Sequence, residues 1–452
     1  MAYSILCNNM IRVLFLLSLV LGNISFAQQF TKSPYSINGL GEEDYVGNAT
    51  FTALGNTRSV YIDSTVLNIY NPASYAFLSH GQPIFSTSAY IQNYQFVENK
   101  SIAKNNALAL SHMAFGFSFK NRFGLVFGFR PLTNTGYDVL NTSINLLTND
   151  TISTQFYGSG NITYAFTGLA FKILELEKHK LSFGANLGNV FGTNTHRQTV
   201  NIQNELIGSV KQNTMKINGF NPEFGFNYQI LFSKSSNLSV AAIYKSKVTL
   251  TSESKTALIS ASDFKNENSF DTLDYEISKG NVFNPSSVEI GLKYDFTKYL
   301  NRASLRIPQL ILLASYKNTR WSELNSTTNL STSFNDATHF NFGLQFAPHV
   351  DFYDRSKSIS FLSRIRYRMG YEYALLPWSL NSKQLTSSIY SIGFGFPITS
   401  QRTLSSINFA VNYGERGNGN SQDFVEKQLG YSLGITISPA FYDRWFKKNK
   451  ID

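Results

Sequence analysis

From residue 83 onward the sequence keeps returning to a period of two. Phe115, Phe117 and Phe119 alternate with Gly116 and Ser118, and Phe123, Leu125, Phe127 and Phe129 with Gly124, Val126, Gly128 and Arg130. Phe224, Phe226, Tyr228 and Ile230 stand against Gly225, Asn227 and Gln229, and Ile407, Phe409, Val411 and Tyr413 against Asn408, Ala410 and Asn412. Successive side chains of a strand point to opposite faces, so each run has one greasy face and one small or polar face. A helix needs apolar spacings of three and four, which these runs lack. Soluble sandwiches also alternate, but their strands average about five or six residues. Many segments here are roughly 15 to 25 residues long, with aromatics near their ends as in the girdles of membrane barrels.

Residues 1–27 read as an export signal: Arg12, the apolar run Val13 to Leu21, then Ser25-Phe26-Ala27 with small residues where a signal peptidase reads. Downstream of Leu21 there is no uninterrupted apolar stretch of about 18 residues, which excludes ordinary transmembrane helices. An exported chain that is 42% hydrophobic and 15% aromatic, without helical spans, still has to place its apolar surface. The reading is an all-β fold, an antiparallel transmembrane β-barrel of about 14 strands in the bacterial outer membrane.

Fourteen segments are expected near 83–97, 106–120, 122–142, 151–175, 179–204, 208–233, 236–259, 268–296, 306–324, 333–348, 357–377, 383–398, 402–417 and 425–440. The division is a signal peptide at 1–27, a plug segment at 28–82, the barrel at 83–440 and a periplasmic tail at 441–452. Tight turns such as Lys120-Asn121-Arg122 suit the periplasmic side, and longer polar links such as Glu98 to Asn105 and Asn141 to Asp150 suit the cell surface.

Cys7, the only cysteine, leaves with the signal, so the mature chain has no internal disulfide or thiolate metal site. The net charge of +10 is scattered, apart from one basic patch in the tail. Attraction to anionic lipid head groups or periplasmic partners explains it better than a nucleic-acid partner. Arg444, Trp445, Phe446, Lys447 and Lys448 read as an interface anchor or a periplasmic docking strip. The six histidines are isolated in sequence, with no pair at metal-ligand spacing and no serine-nucleophile elbow, so neither a metal, a cofactor nor enzymatic activity is expected. His112 adjoins Ser111, but neighbours in a strand face opposite sides, which argues against a direct pair. His179 falls in an expected turn as a solvated residue.

Between signal and first strand lies Asp63-Ser64-Thr65-Val66-Leu67-Asn68-Ile69-Tyr70-Asn71-Pro72-Ala73-Ser74-Tyr75. Asn71-Pro72 fixes a turn, and the apolar residues from Leu54 to Tyr70 would be costly in water, which favours a lumenal plug over a periplasmic linker. This motif resembles the N-terminal hatch of the FadL-type family of outer-membrane transporters for hydrophobic compounds. Ser33-Pro34-Tyr35-Ser36, Asn412-Tyr413-Gly414-Glu415-Arg416 and Asp443-Arg444-Trp445-Phe446 are similar to the ends of FadL-like barrels of Bacteroidota, PorV-like secretion barrels among them. The resemblance implies a fourteen-stranded barrel with the hatch inside it, and either passage of a small hydrophobic ligand or a protein partner from a secretion or assembly complex.

Pro131 in the third segment cannot donate a ladder hydrogen bond and is expected to bulge or kink its strand. In the FadL-type family a kinked third strand makes a side window. By that resemblance a ligand would enter from the surface loops, meet Asn71, Pro72, Ala73, Ser74 and Tyr75, and leave beside Arg130, Pro131, Thr133 and Gly136. The alternative is that Pro131 lies at the surface end of its strand, where a kink costs little.

Overall fold

The computed structural model describes residues 31–438, apart from 44–46, 99–100, 121, 147–148, 234, 263, 265–268, 298–306, 325–333, 351–359, 381–382, 399–402, 404 and 418–423. The expected export signal and the tail residues Arg444, Trp445, Phe446, Lys447 and Lys448 lie outside the described residues.

Seventeen strands form one antiparallel sheet among the described residues. After β1 (Glu42–Glu43) come β2 (Ile84–Glu98), β3 (Ser101–Phe119), β4 (Phe123–Ile144), β5 (Thr151–Glu175), β6 (His179–Ile202) and β7 (Gly208–Ser233). They are followed by β8 (Ser236–Lys245), β9 (Val248–Ala261), β10 (Phe270–Asn284), β11 (Ser287–Thr297), β12 (Gln309–Thr319) and β13 (Ala337–Ala347). The last four are β14 (Arg366–Leu380), β15 (Lys383–Pro397), β16 (Ser406–Gly417) and β17 (Val425–Ile437). β17 pairs back onto β2, from Ile437 opposite Phe85 to Val425 opposite Val97, and this closes the ring.

β7 pairs with β9 over its first half and β8 over its second, while β10 lies on β9 and β11 on β8. β8 with β9, and β10 with β11, are therefore each one barrel strand interrupted midway, and with β1 set aside the closed barrel has 14 strands. Both interruptions fall inside segments expected to be continuous. In the second, Pro285 has no N–H for a ladder.

Burial is inverted relative to a water-soluble protein. Phe342 is 51% exposed while its neighbour Asn341 is 4% exposed, and Leu187 is 50% exposed beside a fully buried Asn186. Polar residues face the lumen and aromatic or aliphatic ones face out, the arrangement that makes lipid the solvent for the outer surface.

Strand lengths are unequal. β12 and β13 have 11 residues, but β5, β6 and β7 have 25, 24 and 26. A tilted strand crosses hydrocarbon in about 9–11 residues, so β4 to β7, with β9 and β10, rise past the membrane as a tall wall. The links expected around Glu98 to Asn105 and Asn141 to Asp150 are correspondingly short, because β3 begins at Ser101 and β4 continues to Ile144.

Candidate functional site

β4 changes partner halfway along. Its ladder with β3 runs from Phe123 opposite Phe119 to Phe129 opposite Met113 and ends there. On its other side β4 stays paired with β5 to Ile144, with a bulge between Pro131 and Thr133. The bulge follows from chemistry: Pro131 has no N–H, and Leu132 is the extra residue that restores the register beyond it. β3 bends at the same level, where Ser111 is the extra residue opposite Ser88 and Ala89 of β2. Two bulged strands thus diverge above Met113 and Phe129.

Backbone groups at membrane depth need partners, and β4 finds them in the N-terminal segment. Glu42 and Glu43 of β1 pair with Asn134 and Thr133. The Thr133 hydroxyl donates to the Leu40 carbonyl at 2.8 Å, and the Gly136 N–H donates to Ser36 Oγ at 3.0 Å. Gly136 is glycine for a steric reason: a Cβ there would sit 2.0 Å from the Thr31 carbonyl oxygen. Arg130, Pro131, Thr133 and Gly136 therefore share one buried stretch of β4, three of them in contact with residues 31–70.

Charge fastens the N-terminal segment to walls far apart in sequence. Glu42 pairs with Arg416 of β16, which also reaches Glu426 at 3.4 Å, and Glu43 pairs with Lys317 of β12. Asp63 meets Arg366 at 3.0 Å, the Ser59 N–H donates to Glu289 at 3.2 Å, and Asn56 donates to Glu372 at 2.6 Å. Beside the divergence, Arg130 meets Glu223 at 2.7 Å and Lys245 meets the same carboxylate at 3.2 Å. The Tyr70 ring lies 4.3 Å from the Arg58 guanidinium and 5.2 Å from that of Arg130. Among these charges a cavity of about 20 Å³ remains, lined in part by Glu43, Arg58, Arg130 and Lys317. That is room for about one water molecule.

Asn71 caps a six-residue 3₁₀ turn, Pro72–Phe77: its side-chain oxygen accepts from the Ala73 N–H at 2.9 Å. The Ser74 hydroxyl donates to the Asn71 carbonyl, the Ala73 carbonyl accepts from Ser182, and the Tyr75 hydroxyl donates to Asn186 at 3.0 Å. The motif is seated on lumen-facing glycines: a Cβ at Gly124 would lie 2.1 Å from the Tyr75 carbonyl oxygen. Gly124 is the second residue of β4 and Pro131 the ninth, so Asn71 to Tyr75 lies on the short-turn side of the divergence.

On the outer surface below the divergence, Phe85, Met113, Phe115, Phe127, Phe129 and Leu187 line a greasy groove of about 500 Å³. The bulge in β3 also corrects the expectation for His112. Ser111 and His112 face the same way, with Ser111 Oγ 2.9 Å from Nδ1 and Ser86 Oγ 3.0 Å from Nε2. His179 opens β6, where its ring lies 2.9 Å from the Tyr228 hydroxyl instead of in a solvated turn. Sequence reading missed Glu42, Glu43, Glu223, Lys245 and Lys317, and singled out Arg416 only within the motif Asn412 to Arg416. Glu223 carries one readable sign, a lone carboxylate opening the alternating run Phe224 to Ile230.

The ring and its lumen-facing polar surface define an outer-membrane β-barrel whose N-terminal segment is bonded to its inner wall. A sequence profile of the family described as BamG matches residues 10–452, and the chain belongs to that family. No curated protein matches the sequence. Among solved structures, the Pseudomonas putida toluene transporter TodX is 15% identical with a TM-score of 0.55, covering 88% of this chain and 99% of that one. The CymD monoaromatic hydrocarbon channel is 13% identical with a TM-score of 0.53, covering 88% and 100%. A Pseudomonas aeruginosa FadL homologue is 13% identical with a TM-score of 0.52, covering 88% and 99%. At these identities the likeness establishes the fold.

Proposed function

We propose that this barrel mediates passive uptake of small hydrophobic, fatty-acid-like compounds across the outer membrane, with residues 28–82 as its plug and a sideways exit between β3 and β4. The observation that carries the reading is the end of the β3–β4 ladder at Met113 and Phe129, beside the bulge at Pro131. An apolar groove lies outside that point, so a ligand leaving there meets grease instead of water. Fold relatives that carry monoaromatic hydrocarbons support the same direction. Because Glu42, Glu43 and Ser36 hold the free edge of β4, exit requires this part of the segment to shift. Pro131→Ala, which restores an N–H and favours a straighter ladder, is expected to lower whole-cell uptake of a fluorescent fatty acid several-fold. Unchanged uptake overturns the exit.

A second reading is a protein-binding scaffold, an accessory of a secretion or assembly complex of the PorV-like kind. The ion-paired interior favours it: a hydrophobic ligand passing Glu43, Arg58, Arg130 and Lys317 finds charged walls and space for about one water. In this reading the tail from Arg444 to Lys448 anchors at the lipid head groups or docks a periplasmic partner. Extraction of the full chain in mild detergent separates the two. Stoichiometric protein partners favour the scaffold, and lipid or detergent retained in the lumen favours uptake.

A further inference from the structure

Two hairpin tips of the tall wall, between β4 and β5 and between β6 and β7, are neighbours. They are joined: the Gln203 N–H donates to the Thr151 carbonyl at 2.8 Å, and Asn204 Nδ2 donates to Asp150 at 3.2 Å. At this summit Leu146 is 96% exposed, Leu206 88%, Ile207 63% and Ile144 62%. Single exposed leucines are ordinary, but four large exposed apolar residues on two bonded tips are the kind of surface that marks a contact.

Lipid tails do not reach it. β5 has 25 residues, and at about 3.3 Å per residue and a tilt near 40° it rises roughly 60 Å, about twice the hydrocarbon thickness. Asp150 and the exposed Glu205 stand beside the leucines, which disfavours anionic lipid head groups and favours cations.

We infer that these joined tips are a docking surface for a protein at the cell face of the membrane, one that presents an apolar contact flanked by lysine or arginine. The inference rests on the scaffold reading and is separable from it. A stoichiometric partner that survives loss of both leucines upholds that reading and overturns this site.

The test uses the full chain in intact cells, with a photo-crosslinking phenylalanine derivative placed at Leu146 or at Leu206. Both positions are expected to capture the same protein through a peptide carrying apolar and basic residues, while the same probe at Lys211, lower on the wall, captures at least tenfold less of it. Leu146→Asp with Leu206→Asp should cut co-purification of that protein at least tenfold with the barrel still folded on heat-modifiability gels, and Leu206→Met should preserve it. Glu205→Lys should weaken it several-fold. Adducts only to lipid, lipopolysaccharide or a second copy of this chain, or co-purification unchanged by the double aspartate variant, overturn the proposal.

Discussion

Arg130 and Glu223 meet at 2.7 Å with the guanidinium 6% exposed and the carboxylate fully buried, one residue before the proline at which β4 bulges. Lys245 shares the carboxylate at 3.2 Å, so the two sides of this cluster are not equivalent. Removing Arg130 leaves Glu223 one cation, whereas removing Glu223 leaves two cations facing each other.

Glu223→Ala is therefore expected to cost the roughly 3–5 kcal/mol typical of breaking a buried ion pair, and Arg130→Ala less. The double variant should cost less than the sum of the singles, since contacting groups are not additive. The urea midpoint of the folded species on heat-modifiability gels measures all three.

Packing of the N-terminal segment against the wall is testable at glycine. A Cβ on Gly370 of β14 would lie 1.9 Å from the Gly55 nitrogen and 2.3 Å from the Leu54 carbonyl carbon, both backbone atoms with no rotamer to yield. Gly370→Ala should cost at least the 1–3 kcal/mol or so of ordinary overpacking and open residues 47–60 to protease added to solubilised protein. Gly417→Ala, whose nearest neighbour would be at 3.4 Å, should leave the digestion pattern unchanged.

Asp63 supplies a pH dependence. Burial pushes its carboxyl upward, but the Arg366 guanidinium and two hydrogen bonds from Thr65 outweigh it, and the group is held below the ordinary aspartate value. A carboxyl lowered in the folded state contributes stability that is fully present above its unfolded pKa, about 3.9, and is lost as pH falls through the folded value. The advantage of the natural protein over Asp63→Asn should be constant from neutral pH down to about 5 and shrink below about 4. Thermal unfolding in detergent across that range checks it. Because the carboxyl is 18% exposed, solvent screening keeps the difference small.

The strand count was readable because lipid imposes it: every crossing of hydrocarbon repeats the same alternation with an aromatic outer face, as at Phe123 to Phe129. The interruptions between β8 and β9 and between β10 and β11 were not, although Pro285 marks the second. In both, the ladder breaks while the same barrel strands stay side by side, β9 and β10 above and β8 and β11 below, a property of the assembled sheet. Ser111 beside His112 shows the same limit, since one extra residue reverses which face a side chain takes and only the register with β2 reveals it. Asn71-Pro72 announced a turn through its own chemistry. Glu42 with Arg416 had no local signature, because residues 374 positions apart are brought together only by ring closure.

The central claim, a sheet closed on itself with lipid outside and polar groups within, is tested most directly by placing a nitroxide label in turn at Phe224, Phe226, Asn227, Tyr228 and Gln229 of β7 in lipid vesicles. Oxygen accessibility should be high at the three aromatic positions and low at Asn227 and Gln229, repeating every two residues. Equal accessibility at all five, or a water-soluble relaxant reaching Phe226 as readily as oxygen does, contradicts it.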